Sequence, residues 1–274
     1  MYSIYVNSTI LTFLSNYTIT LVCEDDADLT FLSSDGVEFK IHSASLNIWT
    51  SKGFARESSD TLGDPQAIQL EELAEVLEII FQFIEPPTNA RDYKHPSVFD
   101  LDPQIFFKVA EAAEKYVIYG ATRVCVDRMK LIVSNYPAEV LNHCTLHGYP
   151  ELGDQACDTS LSYPITEIIE KLTAPGLLTR YLIYYQKWRD AGQQAAKFIS
   201  SFSETCPRIA QAYREYRLQV DQDPLSVINL PDFHGNLSCG YNANRCYCSF
   251  DRESVAVRVN ALTIGIPKFN KIRV

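Results

Sequence analysis

Three groups of residues in this chain have types and spacings that could do chemistry. Asp28 and His42 flank a run of alternating apolar residues, an acid and a base suited to moving a proton. Such a pair needs a nucleophile and an anion hole beside it. The chain has no Gly-x-Ser-x-Gly elbow, no His-Glu-x-x-His pair and no glycine-rich phosphate loop. Asp28 and His42 are therefore expected to form a buried polar pair that fixes a hairpin against the helix that follows it. His234, Cys239, Cys246 and Cys248 hold enough ligands for a zinc ion, but their spacing is irregular and Cys-x-Cys is not the usual knuckle. His143 and His147 lie four apart on a predicted helix, a spacing that can bind metal. Cys144 faces elsewhere and no carboxylate repeats the geometry, so a structural pair is expected there. The expectation is a non-enzyme with no cofactor and no bound metal.

A last chemical pattern is aromatic. Tyr181, Tyr185 and Trp188, with Arg180 and Arg189 alongside, would stack single-stranded bases, although a stripe at helical spacing more often faces a core. Charge decides between the two. Twenty-four basic against 34 acidic residues leave a net charge of -10, which opposes binding by phosphate neutralisation. Neither nucleic acid nor an anionic membrane is an expected partner. The charge is uneven: Glu24 to Glu114 holds 19 acidic and 6 basic residues, and the chain beyond sums to +3.

With 274 residues, 46% of them hydrophobic and 21% charged, the composition is that of a folded globular chain and excludes a disordered or collagen-like one. The eight cysteines repeat no spacing and are expected to be reduced and buried, in an intracellular protein of the cytoplasm or nucleus. No run of 18 apolar residues exists. Residues 1–24 carry no charge before Glu24, lack a basic leader and are broken by Asn7-Ser8-Thr9 and Ser15-Asn16, so an N-terminal strand is expected rather than a signal. Two readings of it stand: a strand exchanged between copies, or a frayed extension. The Asn-x-Ser/Thr triplets at Asn7, Asn16 and Asn236 matter only in an exported chain.

These residues must be positioned by the elements around them. Leu29, Phe31, Val37, Phe39 and Ile41 alternate with polar neighbours about a Ser34-Asp35-Gly36 turn, which predicts a hairpin. A short helix follows, with Ser43 as its cap and Leu46, Ile48 and Trp49 as its apolar residues, and 67–70 is a third strand. Leu73, Val76, Leu77, Ile80, Phe81 and Ile84 give one buried helical face over 71–85, stopped by Pro86-Pro87. Asp102-Pro103 caps the clearest amphipathic helix, with Ile105, Phe106, Val109, Ala110, Ala113 and Tyr116 in its stripe, and a further helix runs from Ala121 to Ile132. Beyond Pro137 the periodicity predicts short helices over 138–147, 152–161, 165–172, 177–188, 195–201 and 208–220. Residues 223–274 are poorly assigned, with a β-type run over 254–259.

The residues Asp28-Leu-Thr-Phe-Leu-Ser-Ser-Asp-Gly-Val-Glu-Phe-Lys-Ile-His42-Ser-Ala-Ser-Leu46, then Gly53-Phe54, resemble the start of a BTB (POZ) domain. The likeness continues through Ile68-Gln-Leu-Glu-Glu, the helix from Val76 to Ile84, Val109-Ala-Glu-Ala-Ala-Glu-Lys-Tyr116, and Ala121 to Met129 with Cys125. The wording around Pro137 to Leu141 and His147-Gly148-Tyr149-Pro150 is similar to the large BTB set of basidiomycete fungi. The resemblance implies an α+β fold, a small β-sheet flanked by helical hairpins, over 25–135, with a C-terminal helical extension over 136–222. It implies a non-enzymatic scaffold that pairs with itself, with another BTB protein or with a cullin-type ubiquitin ligase as substrate adaptor. A homodimer would bury Leu46, Ile48, Trp49 and Phe54 near its interface, and Asp102, Ile105 and Phe106 would line a partner surface. Two departures stand out: Ser43, not a basic residue, follows His42, and the loop from Pro86 to Pro103 is long. No kelch repeat or zinc-finger array accompanies the domain.

Overall fold

The computed structural model describes residues 27–50, 54, 67–84, 96–203, 207–230 and 252–273. They form a mixed α+β protein, mostly helical with one small sheet, and the chain divides into two compact units, Met1–Arg128 and Met129–Val274. No helix among the described residues is long and apolar enough to cross a membrane.

In the first unit, β1 (Leu29–Leu32) and β2 (Glu38–Ile41) pair antiparallel, with Leu29 opposite Ile41 and Phe31 opposite Phe39. Gly36 in the turn between them has φ +85°, a left-handed conformation that glycine adopts without a Cβ clash. The alternation puts Phe31, Phe39 and Ile41 into the core and leaves Lys40 outside. β3 (Ile68–Gln69) adds to the far edge of β1 in parallel, Phe31 opposite Ile68, giving the order β2-β1-β3. A parallel neighbour requires a crossover, and α1 (Ser43–Trp49) lies in that connection.

Helices α2 (Ala74–Gln82) and α3 (Pro103–Lys115) pack together, and α4 (Tyr119–Ile132) follows. The predicted stripes are buried: Val76, Leu77, Ile80 and Phe81 on α2, Phe106, Val109, Ala110 and Ala113 on α3. Leu73 is exposed because it precedes the first turn of α2, and Ile105 on α3 is half-buried. An aromatic cluster fills the space between sheet and helices. Phe81 lies 5.5 Å from Phe31 and 5.2 Å from Phe39, ring centre to ring centre, and Phe54 stacks on Tyr116 at 4.1 Å.

Neither α1 nor α2 carries a side-chain cap at its own N-cap residue, His42 or Leu73. The hairpin supplies both. Asp28 accepts hydrogen bonds from the Ser43 backbone N–H at 2.7 Å and the Ser43 hydroxyl at 2.5 Å, and Asp35 accepts from the Ala74 N–H at 2.9 Å. A carboxylate at a helix N-terminus satisfies an orphan donor and meets the positive end of the helix dipole. Asp102 caps α3 as its sequence predicts, accepting from Gln104 N–H at 2.8 Å with Pro103 in the first turn. Arg128 closes this unit from below the third helix. Its buried guanidinium donates to the carbonyls of Val98 and Leu101 and lies 4.2 Å from the centre of the Phe106 ring.

The second unit contains α5 (Pro137–His147), α6 (Pro150–Ser160), α7 (Ile165–Ile169), α8 (Leu177–Ser203), α9 (Pro207–Gln222) and α10 (Arg252–Ile264), with 3-10 turns at Pro224–Ile228 and Phe269–Lys271. The two helices predicted over 177–188 and 195–201 are one continuous α8. The β-type run over 254–259 is helical, in α10: Val255 and Val259, four apart, enter a cluster with Ala195, Ile199, Tyr216, Val220 and Val227, and tertiary burial overrides the strand preference of valine. Asp154 on α6 clamps the last turn, accepting from the Asn270 backbone N–H and side-chain amide at 2.8 Å each. Phe269 is buried there, edge-on to Tyr184 at 5.8 Å.

Candidate interaction face

Helix α1 has seven residues, too few to hold its shape alone. Asp28 ties its first turn, as described. Its last turn ends at Thr50, whose N–H and hydroxyl both donate to the Leu46 carbonyl, at 3.0 and 2.8 Å. Thr50 then forms an antiparallel bridge to Ile118, which is buried. Ile118 in turn follows the end of α3, where the Ile118 N–H reaches back to the Ala113 carbonyl at 2.9 Å and the Val117 N–H to Glu114 at 3.1 Å. This wrap needs a left-handed residue, a place usually held by glycine. Val117 takes it at φ +55°. For a residue with a Cβ this conformation costs about 1–2 kcal/mol, so the side chain is kept against a backbone preference.

Around that bridge three large apolar side chains stand on the surface. Ile48 is 70% exposed, Tyr119 60% and Val117 37%. Ile48 lies two residues before Thr50, and Val117 and Tyr119 sit on either side of Ile118, so the bridge sets them on neighbouring strands of backbone. Scattered apolar residues are ordinary on a surface; several together mark a place that another surface covers.

The four expected interface residues divide. Ile48 is on this face and Trp49 is half-buried beside it. Leu46 and Phe54 belong to the core of the unit itself: Phe54 is 5% exposed, stacked on Tyr116 and 5.3 Å from Phe31, with no apolar surface left for a partner. The expected buried pair of Asp28 and His42 is also corrected. Asp28 is exposed, not buried, and its carboxylate accepts from the N–H and hydroxyl of Ser43 at the start of α1, while the half-buried His42 acts on it through charge. The Ser43 hydroxyl first, then the Ser43 N–H, hold the Asp28 carboxyl below the usual carboxylate range.

The partner surface expected at Asp102, Ile105 and Phe106 is not continuous. Asp102 is exposed but engaged as a cap, Ile105 is half-buried, and Phe106 is wholly buried under Arg128. The weak zinc candidates His234, Cys239, Cys246 and Cys248 lie outside the described residues, as does the N-terminal stretch 1–24. On α5 the His143 and His147 rings are 4.5 Å apart, and His143 is buried with Tyr149 stacked on it at 5.9 Å. In the second unit Tyr181 and Tyr185 are buried, and Trp188 packs against the cluster around Ile199, so the aromatic stripe faces a core.

The described thiols are poor nucleophiles. Burial pushes Cys125 and Cys144 up to about 12 each, and Cys157 up in the same direction. The other polar cluster of the first unit is an ion network in which Lys115 meets Glu71 at 3.1 Å and Glu72 at 3.0 Å, and the Tyr116 hydroxyl donates to Glu72. Burial pulls the Lys115 ammonium down, and the hydrogen bonds to Glu72, Tyr116 and Glu71 together outweigh it and hold it protonated. Its arrangement orients α3 against the β3–α2 connection.

Val117, Tyr119 and the Thr50–Ile118 bridge are absent from the sequence expectations. One signal for them existed: Tyr116-Val117-Ile118-Tyr119 is a run of four apolar residues after the α3 stripe, more than one helical face can bury. No family profile, no curated protein and no solved structure matches the chain.

Proposed function

We propose that the chain is a non-enzymatic protein–protein interaction module of BTB type, which pairs with a second copy of itself through the face formed by Ile48, Val117 and Tyr119. The observation that carries this reading is that exposed apolar trio around the Thr50–Ile118 bridge. Its backbone is held on both sides, by Asp28 on α1 and by the left-handed turn at Val117, so the face is preorganised and loses little freedom on docking. A second copy is the natural occupant. An isologous interface presents one patch to itself, and an apolar, uncharged patch is self-complementary where a charged one is not. The order hairpin, short helix, parallel third strand and two packed helices accords with the BTB resemblance, and the resemblance adds self-pairing as the common activity.

Light-scattering mass of the full chain over a micromolar concentration series tests the proposal. Twice the chain mass of 31.0 kDa is expected, falling toward one copy on dilution. One copy at every concentration would remove the self-pairing scaffold and leave a one-to-one adaptor, with a cullin as the partner to look for.

A further inference from the structure

Along the second unit, α8 and α9 pack as antiparallel neighbours, and the groove between them holds a cleft of about 280 Å³. Its floor is made of small residues. Gly192 approaches α9 so closely that a Cβ there would stand 2.2 Å from a methyl of Val220, and Ala196 is the next floor residue one turn on. Helices that meet through glycine and alanine leave room above the seam for the longer side chains at its rim. Those side chains are Gln193, Lys197 and Ser200 on α8, spaced four and three apart, and Tyr213, Arg217 and Asp221 on α9, spaced four apart. Each set lies along one face of its helix.

Four side chains of the rim, Gln193, Lys197, Tyr213 and Arg217, carry donors that no acceptor among the described residues takes up at close range. The Lys197 ammonium forms no ion pair or hydrogen bond among the described residues, its backbone carbonyl alone accepting from the Ser200 hydroxyl. Among the described residues Arg217 meets Asp221 only through Nε and only at 3.9 Å, with both side chains well exposed, and its two Nη groups have no partner there. The Gln193 amide and the Tyr213 hydroxyl likewise have no partner among the described residues. Two cations and two neutral donors converge on one cleft against a single carboxylate, in the part of the chain that is net positive while the rest is strongly negative.

We infer that the α8–α9 cleft binds a small oxyanion, a phosphate or carboxylate group, through Lys197 and the Nη groups of Arg217. A guanidinium fork and a mobile ammonium are the pair that fits such an anion, one by planar hydrogen bonding and the other as a point charge. Gln193 and Tyr213 add neutral hydrogen bonds that favour an oxygen-rich group over chloride. A cleft of this volume fits an anionic metabolite or the anionic end of one. The site is independent of the self-pairing face, which lies in the other unit.

The test is calorimetric titration of the full chain with inorganic phosphate, and separately with acetate, at constant ionic strength set by chloride. Saturable binding in the millimolar range is expected for at least one of the two anions. Lys197→Ala and Arg217→Ala should each weaken it at least tenfold, and Lys197→Arg should keep it. Lys187→Ala, which removes an exposed cation about 15 Å away along the same helix, should leave it unchanged. Phosphate binding without acetate would assign the site to phosphate esters, and the reverse to carboxylates. No saturable binding of either anion, or an equal loss in Lys187→Ala, would overturn the assignment. Unchanged helical circular dichroism in each variant keeps a folding defect from being read as a lost site.

Discussion

Replacing Ile48 by glutamate separates an interface from a core in one experiment. Full burial of an isoleucine is worth roughly 1.5–3 kcal/mol, and since 70% of this side chain is still exposed in one chain, a partner can still gain about 1–2 kcal/mol from it. A two-fold interface counts the residue twice, so its loss should cost the dimer about 2–4 kcal/mol, or roughly 30- to 700-fold in dissociation constant. Glutamate adds the penalty of placing two like charges near each other across the axis, which pushes the result to the upper end. In the separate chain the same change touches little, and folding stability should move by no more than about 0.5 kcal/mol. Leu46, two residues away, is the control. It is 7% exposed and faces the core, so Leu46→Ala should cost about 2–5 kcal/mol of folding stability. Light-scattering mass against concentration reads the first change and urea unfolding of the diluted protein reads the second. The reasoning is refuted if Ile48→Glu leaves the mass curve where it was, or if it destabilises the fold as much as Leu46→Ala does.

Arg128→Met keeps the volume of a buried side chain but removes the donors to Val98 and Leu101, and should cost about 3–5 kcal/mol by urea unfolding; a loss below about 1 kcal/mol would mean that water replaces the guanidinium. For Asp28 the folded carboxyl titrates below its unfolded value of about 3.9, so its stabilisation is complete above that pH and is lost as pH falls through the folded value. Asp28→Ala should therefore melt earlier than the parent chain at neutral pH and converge with it in acid, and a gap that persists well below pH 3.9 would rule out the carboxylate cap. Asp154→Ala removes both acceptors of Asn270 and should cost about 2–3 kcal/mol locally. Hydrogen exchange should show the Asn270 amide opening while α8 stays protected; equal acceleration in both would make the clamp part of the global fold.

How much of this was legible in the sequence depended on the length of each periodic signal. The stripes of α2 and α3 run for three turns or more, and the residues they named, Val76, Ile80, Phe106 and Val109 among them, are the ones buried. Helix α1 has two turns, too few for Leu46, Ile48 and Trp49 to define a phase, so the same three residues were assigned to one interface when the fold places Leu46 inside and Ile48 outside. Caps show the same limit from another side. Asp102 caps the residues next to it and was readable as a local pattern. Asp28 and Asp35 cap helices that begin 15 and 39 residues further along, and nothing local to His42 or Leu73 announces them. Valine-rich residues of α10 were misread because strand preference is a statement about surroundings, and their surroundings are supplied by α8 and α9.

The same distinction explains why the candidate face escaped notice while its parts did not. Ile48 was marked as apolar and Tyr116 as the end of a stripe, but what joins them is the bridge from Thr50 to Ile118, a contact between residues far apart in the chain. That bridge exists because the turn after α3 is made by a valine in a left-handed conformation, where a glycine would have been easier. A glycine would also have removed one of the three exposed apolar side chains. The backbone preference given up at Val117 and the apolar surface retained there are thus two sides of one choice of residue, and a self-pairing face with Ile48 and Tyr119 is the use we propose for that surface.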